Sequence, residues 1–225
     1  MRDTYIYKQF ISSEYFDSLD ILLSSGLFED GKGTATAGAQ KVKNNLQLSQ
    51  KEGGIYNKFQ ELLGHCLQTN PDFHERFYPL KMTPFIIGKY TEGMGYGNHI
   101  DSPIMGQPAV RTDLAMTVFL CDPIEYEGGE LVLETAFGEF SYKLEKGDAV
   151  VYPATYIHRV NEVSKGERKV AVSWIQSYVR NESHRQMLTE LKNVQNDMFL
   201  KDENTSHSNK LLKVWSNLLR EWSEL

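Results

Sequence analysis

The sequence predicts an α+β fold, an antiparallel β-sandwich or jelly roll with helices packed before and after it. Seven short runs rich in β-branched and aromatic residues lie between residues 83 and 179. Turn signals such as "EYEGG", "EKGD" and "SKGE" separate them, and no helix intervenes. Helical periodicities occupy the two ends of the chain instead. Strands in that arrangement pair antiparallel, and a closed sandwich protects their edges. The 225 residues suit one domain in three parts. These are an N-terminal support region over 1–80, a β core over 81–179 and a helical extension over 180–225.

Taken in order, "YIYKQF" alternates like a strand. "SSEYFDSLDILLSSG" offers serine caps, apolar residues at helical spacing and Gly26 as a stop. "GKGTATAGAQKVKNN" is a polar connection into "LQL". A second helix over about residues 50–68 carries Ile55, Phe59, Leu62, Leu63 and Cys66 on its apolar stripe, and Asn70-Pro71 closes it. The strands are then "TPFIIGKY", "DLAMTVFLC", "GELVLET", "GEFSYKL", "DAVVYPA", "YIHRVNEV" and "RKVAVSWIQSYV". After Val179, Leu188, Leu191, Val194 and Met198 mark a helix, and "DENTSHS" interrupts it. Leu211, Trp215, Leu218, Trp222 and Leu225 then form a narrow apolar seam. The seam either packs on the sandwich of its own chain or pairs two chains in a homodimer. The first is favoured, because a single helix usually buries its stripe within its own domain.

A formal charge of −6 argues against a nucleic-acid partner, which would need excess Lys and Arg. Small molecules or peptides are the expected substrates. Cys66 and Cys121 stand far apart in no metal or redox pattern, as expected of buried thiols in a reducing, cytoplasmic setting. No apolar run reaches signal-peptide or membrane-spanning length, so no membrane partner is expected.

The chemistry concentrates around "YGNHIDSP". Among six histidines, an Asp two residues after some His arises by chance about one time in four, so His99 and Asp101 alone carry little. Their position adds weight. After "FIIGKY" the glycines of "TEGMGYG" loosen the chain, and His-Ile-Asp begins an extended stretch in which residues i and i+2 share a face. A later histidine, His158, falls in a strand of the same sandwich. Two imidazoles and a carboxylate form the facial set that leaves iron positions open, whereas the helical HExxH of zinc hydrolases is missing. "SKGE" then turns the chain, so "RKVAVSWIQ" returns beside the His158 strand and places Arg168 or Lys169 near the metal. A guanidinium matches a carboxylate bidentately, but parity does not choose between the two residues. A solvated hairpin tip is the plainer alternative for either.

"HID…GGELVLE…GDAVVYPATYIHRV…GERKVAVSWIQS" resembles the iron(II)- and 2-oxoglutarate-dependent dioxygenases of the prolyl-hydroxylase superfamily. Within it, "ATAGAQKVKNNLQL", "RTDLAMTVFLCDPIEYEGGELV" and "WSNLLREWSEL" resemble the bacterial PKHD-type (PiuC-like) hydroxylases over nearly the whole chain. The resemblance implies a double-stranded β-helix core that binds Fe(II) through His99, Asp101 and His158. It implies that Arg168, ten residues after the distal histidine, holds the distal carboxylate of the co-substrate 2-oxoglutarate, which decides against Lys169. Tyr90 would hydrogen-bond the co-substrate and Trp174 would line the same pocket, although core packing serves a tryptophan equally well. The family implies hydroxylation with release of succinate and CO2, and possible use of L-ascorbate (vitamin C) to keep iron ferrous. Leu131 departs from relatives with threonine after "GGE", and Asp101 disfavours halogenation. Asn44 and Asn45 are candidates for the substrate cleft, His65 and His74 are expected to be surface or packed histidines, and His184 and His207 have no matching ligand partners. The rival reading is a non-catalytic jelly-roll module that keeps a metal or ligand without turnover. It leaves Arg168 and Tyr90 unexplained.

Overall fold

In the computed structural model, residues 4–34, 37–51, 53–200 and 206–225 are described, without the side chains of 37, 199 and 200. The expected connection "GKGTATAGAQKVKNN" and the expected break "DENTSHS" fall partly outside them. Contacts divide the chain into two compact units, residues 1–69 with 82–175 and residues 70–81 with 176–225.

The first unit is built on two antiparallel sheets. The larger runs in the order β1 (Tyr5–Tyr7), β14 (Ala149–Pro153), β10 (Leu114–Phe119), β17 (Arg168–Ser177), β6 (Ile86–Tyr90), β4 (Leu46–Leu48), β2 (Phe28–Asp30). The smaller runs β13 (Gly138–Tyr142), β12 (Leu131–Thr135), β15 (Ile157–Val160), β7 (Gly95–His99), β3 (Lys43–Asn44). Two ribbons pair β8 (Ile104–Met105) with β9 (Val110–Arg111), and β11 (Tyr126–Gly128) with β16 (Val163–Gly166). A short β5 (Pro79–Met82) precedes β6. Between the sheets Ala115, Phe119, Val150, Tyr152 and Val170 of the larger meet Leu131, Leu133 and Val160 of the smaller. That core, with cover on the outer faces, buries Leu131, Val132 and Leu133 in succession in β12 and every residue of the largely apolar β10.

Helix α1 (Phe16–Ser25) buries Leu19, Leu22 and Leu23 and ends before Gly26, where a Cβ would lie 2.5 Å from Leu48. A short α2 (Ala37–Gln40) precedes β3. Helix α3 (Gly53–Gln68) buries Phe59, Leu63 and Cys66 and touches α1. The six residues from Lys43 to Leu48 pass from the edge of the smaller sheet to the larger one.

Several expectations need correction. Strand β17 does not return beside the His158 strand: it lies between β10 and β6 in the opposite sheet, and β16 takes the place beside β11. "SKGE" is no hairpin turn: Ser164 to Gly166 belong to β16, and only Glu167 separates them from β17, while Gly166 has φ 79° and a Cβ there would stand on the Glu125 carbonyl. Turn chemistry is local and does not choose the partner strand. Asn70-Pro71 does not merely close a helix. It opens α4 (Pro71–Phe77), with Asn70 Oδ1 accepting from Phe73 N at 3.1 Å and Pro71 in the first turn. The His-Ile-Asp triplet ends a strand instead of beginning one.

In the second unit, α5 (Glu182–Leu200) and α6 (Ser206–Trp222) lie against each other. Trp215, Leu218, Leu219 and Trp222 pack on Tyr78, Val179 and Leu188 of the same unit. Leu225 is 98 % exposed and Val194 is 49 % exposed, so both leave the expected stripes.

Candidate metal centre

Strands β7 and β15 pair so that His99 is the direct partner of His158, with ring centroids 4.2 Å apart. Asp101 follows two residues after β7 ends, and its Oδ1 stands 3.8 Å from His158 Nε2. One donor atom from each residue lies within 4.8 Å of the others. Gly97 lets the segment before β3 lie close against β7: its N–H donates to Val42 O at 2.9 Å, and a Cβ there would lie 2.9 Å from Val42 Cβ.

Hydrogen bonding sets both imidazoles for ligation. His99 Nδ1 donates to Gly97 O at 2.8 Å, and His158 Nδ1 donates to Tyr156 O at 3.0 Å. A carbonyl can only accept, so in the neutral ring each Nε2 keeps its lone pair. Burial, with His158 and Lys43 nearby, pushes the pKa of His99 down to about 3. The Tyr96 ring stacks on His99 at 3.6 Å between centroids and fixes its plane. Burial raises the pKa of Asp101 against the opposing influence of His158, the Trp174 indole N–H and Lys43. Its Oδ2 is buried with no hydrogen-bond partner among the described residues. A buried carboxylate oxygen without a donor is costly unless a cation takes it. Two lone pairs and an unpartnered carboxylate, open on one side, fit a ferrous ion.

Below this group lies an inner cavity lined by Arg168, Tyr90, Asn45, Leu131 and Tyr152, with His99 and His158 at its metal end. Arg168 is 1 % exposed. Its Nε and one terminal nitrogen have no hydrogen-bond partner among the described residues. Tyr90 is its partner across β6 and β17, and the guanidinium carbon sits 5.0 Å from that ring centroid and 5.8 Å from that of Phe119. Burial raises the pKa of Tyr90, against the influence of Arg168 and Asn45, and burial pushes that of Tyr126 up to about 12. Both phenols therefore remain hydrogen-bond donors at neutral pH. Lys169 points the other way, pairs with Glu167 at 3.2 Å and lines a separate surface hollow. β17 thus puts 168, 170, 172 and 174 on the inner face.

An outer cleft opens on the far side of the metal group, walled by Tyr56, Pro84, Met105, Tyr96 and Trp174, with His99 and Asp101 in its floor. Trp174 lies here beside Asp101 rather than among the residues around Arg168. Six residues of strand separate the two, roughly 20 Å at about 3.3 Å per residue. Asn44 is exposed and donates to Gly93 O, whereas Asn45 is buried and faces the inner cavity. His65 bonds Tyr15, His184 stacks on Trp222, and neither they nor His74 and His207 join the metal group. Lys43, Gln47 and Tyr96 were not singled out from the sequence, and all three line the inner cavity. The polar alternation of residues 43, 45 and 47 was the available signal, but such a pattern ordinarily marks a solvent face.

Residues 85–176 match the family model of the 2OG-Fe(II) oxygenase superfamily. Over 217 residues the chain is 43 % identical to a PKHD-type hydroxylase of Thermosynechococcus vestitus, with 96 % of each chain covered. It is 40 % identical over 216 residues to a PKHD-type hydroxylase of Colwellia psychrerythraea, again with 96 % of each covered. The Trichoplax adhaerens prolyl hydroxylase, solved with a hypoxia inducible factor peptide fragment, shares the fold. It has a TM-score of 0.58 and 15 % identity, over 79 % of this chain and 84 % of that one. The chain belongs to the PKHD-type hydroxylases of the 2OG-Fe(II) oxygenase superfamily.

Proposed function

We propose that His99, Asp101 and His158 hold the ferrous ion, that Arg168 and Tyr90 seat 2-oxoglutarate in the inner cavity, and that the substrate enters by the outer cleft. The observation that carries this reading is Arg168, a buried cation with unused donors at the foot of a cavity headed by two histidines. A bound ferrous ion with 2-oxoglutarate supplies the oxidation: one oxygen atom of O2 goes to succinate as CO2 leaves, and the other enters a substrate C–H bond. The chain supplies placement. Arg168 binds the distal carboxylate through charge-assisted hydrogen bonds, and the Tyr90 ring beneath the guanidinium keeps it in plane. Leu131 and Val170 exclude water around the co-substrate's methylenes. Trp174 walls the substrate cleft beside Asp101.

The substrate is a small molecule or a peptidyl residue. Ascorbate serves to return iron to the ferrous state, and two free buried cysteines suit a reducing cytoplasm. No helix among the described residues is long and apolar enough to cross a membrane.

Calorimetry of 2-oxoglutarate binding to the zinc-loaded protein, in which no turnover occurs, tests the assignment. Arg168→Ala should weaken binding by about 2–5 kcal/mol, the cost of removing one partner of a buried charged pair, with zinc affinity kept. Lys169→Ala should bind like wild type. Loss of binding in Lys169→Ala with normal binding in Arg168→Ala would reverse the assignment.

A further inference from the structure

We propose that Lys43 is the receptor for a carboxylate on the primary substrate, so that the enzyme acts on a small carboxylic acid with an apolar body, such as an amino-acid derivative. This rests on the reading that iron sits at His99, Asp101 and His158 and that Arg168 holds 2-oxoglutarate.

Lys43 is 6 % exposed, yet no ion pair among the described residues reaches its ammonium. Among the described residues its ammonium makes one hydrogen bond, to Thr34 Oγ1 at 2.8 Å, and it lies 5.3 Å from the centroid of the Tyr96 ring. An ammonium has three N–H donors, so two are left to spend on something else. A lysine buried this way is normally neutralised by an acid or left at the surface, because burial of an unpaired charge is costly.

Its location narrows the choice of partner. Lys43 lines the inner cavity, Thr34 lines the outer cleft, and Tyr96 and His99 line both. The ammonium therefore stands where the two chambers meet, beside the metal group. Asn45 and Gln47 continue the same buried face, and Asn45 Oδ1 has no hydrogen-bond partner among the described residues. The segment is a built polar wall, not a solvated edge.

Charge balance removes the other claimants. With a ferrous ion and doubly charged 2-oxoglutarate in place, the charges of iron, Asp101, Arg168 and co-substrate cancel. Lys43 is then a cation without an ion-paired anion among the described residues, with Asp30 acting on it only from a distance. One co-substrate carboxylate is assigned to Arg168 and the other to the metal, which leaves an anion arriving with the substrate. The cleft outside it is walled by Tyr56, Pro84, Met105 and Trp174, which suits an apolar body behind the acid group. An internal prolyl or other uncharged residue of a peptide chain offers no such carboxylate.

The test uses the zinc- and 2-oxoglutarate-loaded protein and three pairs of probes: L-proline, N-acetyl-L-leucine and N-acetyl-L-phenylalanine, each with its primary amide. At least one free acid should bind wild type about tenfold or more tighter than its amide, the worth of one charge-assisted contact. Lys43→Met should erase that preference while 2-oxoglutarate still binds, and Lys43→Arg should keep part of it. Equal binding of acids and amides by wild type, or no binding of any acid, overturns the proposal without recourse to a variant. A preference surviving in Lys43→Met, or a Lys43→Met protein that has lost 2-oxoglutarate, overturns it too. If wild type itself fails to bind 2-oxoglutarate, the fault lies in the co-substrate reading, and that titration is read first.

Discussion

Arg168 and Lys43 are both buried cations that line the inner cavity. Strand parity in the sequence does not separate Arg168 from Lys169, and the family resemblance chose Arg168; in the structure its register against Tyr90 places it inward. Lys43 sits in a two-residue strand among other polar residues, and only the crossing of that segment between the sheets turns it inside. Burial lowers its pKa to about 8, although Asp101 and Asp30 pull it upward. The unfolded chain therefore takes up this proton below about pH 10.5, and the folded chain only below about 8. The penalty is complete below pH 8 and fades as pH rises toward 10.5. Lys43→Met should accordingly melt at a higher temperature than wild type at pH 7.5, and the gap should narrow at pH 10. An equal gap at both values would show that the lysine is not held in a desolvated site.

At the scale of elements, strands with strong alternation and helices with clear stripes were legible, and their partners were not. The run "RKVAVSWIQSYV" reads as a strand from its own residues, but its position between β10 and β6 depends on burial of both its faces. Asn70-Pro71 reads equally as an end or a beginning, and the apolar Phe73 and Phe77, both buried, decide for a beginning. The C-terminal seam is the element with two possible fates. Trp215 packs on Tyr78, Val179 and Leu188, and the ring of Trp222 stacks on His184 at 3.9 Å. Trp215→Ala should destabilise the chain by about 3 kcal/mol, the low end for a large core aromatic, because Trp215 is only half-buried. The thermal midpoint of wild type and variant should be the same across a hundredfold range of protein concentration. A midpoint that climbs with concentration would assign the seam to an interface between chains.

At the scale of the molecule, the sandwich was readable because its strands carry their burial in their sequence, and the candidate metal donors because few side chains can serve. The two-chambered site was not readable, since it depends on which sheet each strand joins. That architecture sets Arg168 at the closed end, the three metal donors in the middle and an apolar cleft outside. Its central claim is that the donors hold iron in a form that 2-oxoglutarate can chelate. The most direct test is the anaerobic visible difference spectrum of the iron(II) protein on addition of 2-oxoglutarate. Wild type should develop a weak charge-transfer band, Asp101→Ala and His158→Ala should show none, and zinc in place of iron should give none. A wild-type protein that binds iron(II) and shows no 2-oxoglutarate-dependent band would contradict the account.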